Sequence, residues 1–410
     1  MRRKRRHKRR YLRIKGSRLA VAFACSLFII FADYLLSNLS FPLFDESESL
    51  SLFAYLDSKN IPDESGEVLC VNTGVDLQLV PILDDFGDTI GSAPITDRKA
   101  LLRFLEIAET SNPKYIILDI RFEKGFETDA DSALFAKIRT LPRFVFANHR
   151  QREGYEIADS SLLAHSGLAD YRSNMFSGFS RYEFLQDGKE SVALRAYREI
   201  DGGDIEENGL FYLSDGKLSY NMQFVPLPAN PSSPISTSGQ IRYPYLTSNL
   251  FGEHTEEELR SMMEDKIVVI GDFDNDVHQS YVGNIPGPMI HYYAYRLLHQ
   301  RGHKVNVVYV LLLLLAYTFI AYNLLGEADV TERIAGALGI KSPPGVFLLS
   351  FFSWGTLLTA LKVILYLTLH ISFIASIPTI VFSVIVLPGA YRKIRRRQRR
   401  HDSTLTYRNI

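Results

Sequence analysis

Asp272, Asp274 and Asp276 alternate along the chain and are followed by His278, which places three carboxylates and an imidazole within seven positions. The i, i+2, i+4 spacing resembles the start of a calcium-binding loop. Such a loop also needs Gly at its sixth position and Glu at its twelfth, where this sequence has Val277 and Gly283, so an EF-hand is excluded. What remains is a cluster directly after KIVVIG (266–271), an apolar run that reads as a buried parallel strand. Open α/β sheets bind ligands beyond the C-terminal ends of their strands. YIILDI (115–120) reads as a second such strand and carries Asp119 at its end, so Asp119, Asp272, Asp276 and His278 are expected on one rim. Carboxylate oxygens and a neutral imidazole suit a small ligand or a divalent cation. The competing reading is that Asp272 and Asp276 cap the following turn while Asp119 binds loop amides.

Other reactive patterns are missing from the sequence. It has no Gly-x-Ser-x-Gly, Walker loop, HExxH or Cys-His nucleophile pair, so a non-enzymatic protein without a cofactor is expected. His291, in the turn PGPMIH, reads as a packed or capping residue, and GGDIE (202–206) reads as a turn. Two cysteines exclude a disulfide scaffold, and Cys70, flanked by Leu69 and Val71, is expected to be buried and reduced.

The elements that would position the cluster alternate between strand and helix patterns. EVLCVN (67–72) is a first strand; a loop containing DDFGDTIGS (84–92) leads to Thr96 as helix cap, and DRKALLRFLEIAETS carries a helical apolar stripe. YIILDI, a helix in DADSALFAKIRT (129–140) and the strand RFVFAN (143–148) complete β-α-β-α-β. The middle suggests one or two hairpins around a helix at 191–200. Then come a Pro/Ser-rich loop at 226–239, the strand QIRYPY (240–245), a helix at 255–264, KIVVIG and a helix at 286–300. The expected fold is an α/β domain with a mostly parallel sheet.

Charge is segregated along the 410 residues. Residues 1–18 hold 11 Lys/Arg and no acid, residues 391–410 hold 8 against one acid, and residues 45–304 hold 24 against 41, a net of −17. Apolar runs suit four transmembrane helices at 19–40 (a signal anchor), 305–325, 346–363 and 370–389. Because positive flanks stay in the cytoplasm, the basic tails 1–18 and 390–410 and the loop 326–345 are expected inside, and the body 41–304 outside. The tails serve topology and lipid headgroups, not nucleic acid, since they lack interleaved aromatics. Asp33 is an ionisable group inside the first span and a functional flag by default.

This order of elements resembles the second class of cyclase/histidine-kinase-associated sensing extracellular (CHASE) domains. The likeness lies in KYIILDIRF (114–122), QIRYPY and KIVVIGDFDNDVHQSYVGNIPGPMIHYYAYRLL (266–298). It implies a sensor in the bacterial inner membrane whose extracytoplasmic domain receives a small ligand or an envelope partner. Members commonly continue into a cytoplasmic output domain. Here 21 residues follow the last span, so a cytoplasmic signalling partner in trans is expected. A structural or assembly factor of the cell envelope is the alternative.

Overall fold

The computed structural model describes residues 2–38, 66–84, 86–149, 157–171, 173–174, 178–228, 245–246, 254–324 and 337–339, the side chains of 2–16, 173–174, 245–246 and 324 excepted. The chain divides into two units, Met1–Leu39 with Val305–Ile410, and Ser40–Lys304.

In the second unit the central sheet is built from β1 (Val68–Asn72), β4 (Tyr115–Asp119), β5 (Phe144–Asn148), β6 (Ser166–Leu168), β16 (Tyr245–Leu246) and β17 (Ile267–Gly271). These six strands are wholly parallel and run in the order β16-β1-β17-β4-β5-β6. β1 and β17 are buried along their whole length, as near-continuous Val/Ile/Leu runs must be when both faces are covered. Alternation splits their side chains between two cores. Leu69, Val71, Ile116, Leu118, Val268 and Ile270 face helices α2 (Arg98–Thr110), α3 (Asp131–Thr140) and α5 (Glu256–Met263). The opposite face meets α4 (Val192–Asp201), where Tyr115 Oη donates to Glu199 Oε2 at 2.9 Å, and α6 (Gly287–His299). Cys70 is a free, buried thiol there, its Sγ donating to Met289 Sδ at 3.5 Å.

The helices begin where local chemistry allows. Thr255 and Glu258 form a reciprocal capping box at α5, and Ser191 caps α4, which ends on Gly202 at φ 69°. For α2 the expected cap, Thr96, is displaced by one residue. Asp97 accepts from the amides of Lys99 at 2.8 Å and Ala100 at 3.0 Å, because Thr96 is engaged opposite Leu77 in a ladder.

That ladder corrects the sequence expectation of a plain loop after β1. β2 (Leu77–Leu83) and β3 (Thr89–Thr96) form an antiparallel hairpin, turned by Asp84, whose Oδ1 accepts from Phe86 N and Asp88 N, both at 2.9 Å. Sequence pattern misses it because the hairpin leaves apolar side chains in solvent: Leu79 is 72% and Phe86 92% exposed. Between β6 and β16, nine short strands (β7–β15, within residues 173–224) include the anticipated hairpins. One pairs β10 (Leu185–Gln186) with β11 (Lys189–Glu190), and another pairs β13 (Phe211–Ser214) with β14 (Lys217–Ser219). They turn through Asp187-Gly188 and Asp215-Gly216, all four at positive φ, as tight hairpin turns require. Most of the expected strand 240–245 and of the Pro/Ser-rich loop lies outside the described residues. β18 (Val277–Ser280) and β19 (Gly283–Pro286) connect the aspartate loop to α6.

In the first unit, α1 (Arg2–Ser37) contains Ser17–Ser37, 21 residues long and apolar enough to cross a membrane. It packs against α7 (Val307–Leu324), a shorter apolar helix of 18 residues, through Arg18, whose Nε donates to Tyr322 O at 2.6 Å and whose guanidinium stacks 4.0 Å from the Tyr322 ring. Asp33, an ionisable group within α1, is 6% exposed. The expected spans 346–363 and 370–389 lie outside the described residues.

Candidate functional site

The parallel register brings Asn72, Gly271 and Asp119 into one row at the C-terminal edge of β1, β17 and β4. Above this row lies a cavity of about 500 Å³, within the range of small-molecule sites. Asp119, Asp272, Asp276 and His278, the four residues expected on one rim, all line it.

Their roles differ. Asp272 Oδ1 accepts from Asp274 N at 3.0 Å and Asn275 N at 2.7 Å, and its Oδ2 accepts from Asn275 Nδ2 at 2.9 Å. Its carboxylate is therefore the turn cap of the competing reading. Asp274 is also engaged, accepting from Asn72 Nδ2 at 2.6 Å. Asn72 holds the loop from the other side as well, because its Oδ1 accepts from Gly74 N at 2.9 Å and Phe273 N at 3.0 Å. Nothing in the sequence pattern pointed to Asn72, although a polar residue closing a buried strand was the available signal.

Of the expected rim residues, Asp276 and Asp119 are the carboxyls left to the cavity. Asp276 Oδ1 accepts from His278 Nε2 at 2.8 Å, and its side chain is 39% exposed. Burial works to raise this carboxyl, but the hydrogen bond and charge of His278 outweigh it and hold it below the ordinary range. Asp119 is enclosed, its side chain 9% exposed, and it makes no hydrogen bond among the described residues. Burial, then the neighbouring Asp276 charge, raises Asp119 to about 7. The two carboxyls are thus driven apart: one ionised and paired, the other titrating near neutrality.

His291, read from sequence as packed or capping, also lines the cavity, at the start of α6. Its Nε2 stands 3.6 Å from Asp119 Oδ2, and Tyr182 Oη is 2.9 Å from its Nδ1. Burial first, then His149, lowers it to about 3. A neutral imidazole accepting from Tyr182 at Nδ1 turns its Nε2–H toward Asp119, too far for a hydrogen bond. Tyr171 supports His278 edge-on, ring centres 5.2 Å apart. Among the described residues no three His, Cys, Asp or Glu side chains converge with the geometry of a metal centre.

Gly287 is a packing requirement of this site. It opens α6, donates its N–H to Asp276 O at 2.7 Å, and a Cβ there would lie 2.1 Å from Asp276 Oδ2. Gly287→Ala should therefore lower stability by about 1–3 kcal/mol despite the better helix former. Chemical denaturation checks this, and an unchanged midpoint would mean that Asp276 swings aside freely.

Searches against family models, curated proteins and solved structures gave no significant match.

Proposed function

We propose that the Ser40–Lys304 unit is the ligand-receiving domain of a membrane-anchored sensor, and that the cavity above β4 and β17 is its binding site. The observation that carries this reading is Asp119: an enclosed carboxyl with no hydrogen bond among the described residues, at the C-terminal end of a central parallel strand, facing a cavity of ligand size. A purely structural aspartate at this depth would be expected to hold backbone amides, as Asp272 does. Tyr171, His278 and His291 add recognition groups around it. The Ser17–Ser37 helix supports a membrane anchor, and the strongly basic N-terminus supports an acidic body outside the cytoplasm. The further apolar runs at 305–325, 346–363 and 370–389 extend this to a multi-pass anchor in a bacterial inner membrane. The CHASE-like order of elements supports a sensory role.

The test is a thermal-shift screen of the full chain in detergent against a metabolite library. At least one compound should raise the melting temperature, and Asp119→Asn should remove the response. A library with no response would sink the reading.

The envelope-assembly alternative has one observation in its favour, the exposed Leu79, Phe86 and Ile90 of the β2–β3 hairpin. A copurifying envelope complex, released by Leu79→Ser with Phe86→Ser, would favour it.

A further inference from the structure

We propose that the ligand is a small zwitterion of the amino-acid class, with its ammonium held by Asp119 and Asp276 and its carboxylate by Arg98 and Arg121. This rests on the reading of the cavity as a ligand site and assigns the chemistry of what enters it.

Two buried, incompletely paired groups of opposite sign line the same cavity. On the acidic side Asp119 is nine-tenths enclosed and makes no hydrogen bond among the described residues, with His291 Nε2 standing 3.6 Å away. On the basic side the Arg98 side chain is 2% exposed. Its Nη2 donates to Arg121 O at 2.8 Å, while Nε and Nη1 have no hydrogen-bond acceptor among the described residues. Asp131 is its nearest carboxylate, 3.7 Å from Nε, and both Asp131 oxygens already accept from Thr128 N and Oγ1 at 3.1 Å. Among the described residues no ion pair joins Arg98 to Asp119 or Asp276. Buried charges left this way are destabilising unless something completes them, and a guanidinium is suited to receive a planar carboxylate.

A simple amine would complete only the acidic side, and a simple carboxylate only the basic side. One molecule bearing both groups completes both. Arg121, exposed at the cavity wall, its side chain making no hydrogen bond among the described residues, adds a second cation for the carboxylate. Leu77, Ile95 and Phe126 supply an apolar wall for the remainder of the ligand.

The experiment uses the full chain in detergent. Its melting temperature is recorded with millimolar amounts of each standard amino acid and of glycine betaine, and with n-butylamine, butyrate and 1,4-butanediol as compounds lacking one or both charges. At least one zwitterion should raise the melting temperature while butylamine and butyrate give little. Asp119→Asn and Arg121→Gln should each weaken its affinity by about tenfold or more, equivalent to about 1.4 kcal/mol. Arg98→Lys should do the same, each variant being compared with its own unliganded melt. Because Arg121 is exposed, its variant tests the basic side without disturbing the core.

A full response to butylamine that Arg98→Lys and Arg121→Gln leave intact would overturn the zwitterion assignment and leave a cation receptor. A full response to butyrate that Asp119→Asn leaves intact would overturn it in favour of an anion. Silence of the whole panel would also overturn it, and the receptor reading would then be decided separately by the broader library.

Discussion

At pH 8 the Asp119→Asn protein is expected to be more stable than the parent, by roughly 1–3 kcal/mol, with the advantage gone near pH 4. An unfolded aspartate titrates near 4, whereas in the fold Asp119 titrates at about 7, raised by burial and by Asp276 against the opposing influence of His149, His278 and Arg121. Below pH 4 the carboxyl is neutral in both states and contributes nothing. Between pH 4 and 7 the unfolded chain releases this proton and the folded one keeps it, so stability falls as pH rises and levels off above 7. The distance between these two titration points sets a ceiling of about 4 kcal/mol, and the incompletely paired amide of the variant takes back part of it. Denaturation midpoints of parent and variant between pH 4 and pH 8 check this. A parent more stable at pH 8 would mean that a counter-charge pairs with Asp119 and that this carboxyl is structural. Stability gained at the expense of ligand response is the pattern expected of a binding residue.

Phe122→Ala should be the most damaging of the single substitutions considered, costing about 3–5 kcal/mol. Phe122 is 1% exposed and packs edge-on to Phe135, ring centres 5.3 Å apart, and to Phe146 at 5.8 Å. The Arg98 guanidinium also lies 4.6 Å from its ring centre. Truncation therefore opens a cavity in the α2–α3 core and removes the platform that carries an arginine of the proposed site. Phe122→Leu, which keeps most of the volume, should recover more than half of the loss. If Phe122→Ala costs under about 1 kcal/mol, the ring is not a core element.

Much of the fold is legible in the sequence because its signals are local. β1, β4, β5 and β17 are short runs of β-branched and large apolar residues that only a doubly covered sheet can bury, and their boundaries differ from the pattern-based reading by a residue. Asp-Gly pairs fixed two hairpins, and Thr255 with Glu258 fixed the start of α5. The β2–β3 hairpin escaped because its ladder is made by backbone groups and its outward side chains are apolar, so the pattern of polarity that marks a half-buried strand is broken at Leu79.

The candidate site divides in the same way. Which residues stand at the sheet edge follows from sequence, since a strand ending in Asp or followed by an aspartate run delivers carboxylates there. Which carboxylate is free to bind does not. Asp272 and Asp276 are four positions apart and chemically identical. One is consumed by the amides of Asp274 and Asn275, and the other pairs with His278 and faces the cavity, a difference made by loop geometry and by Asn72 from another strand. Arg98 and His291 became candidates only through packing, because a helix-start arginine and a helix-start histidine carry no sequence mark of what the fold brings against them. Tertiary structure alone decided that they share a cavity with Asp119, since the charge state and pairing of a group depend on neighbours distant in the chain.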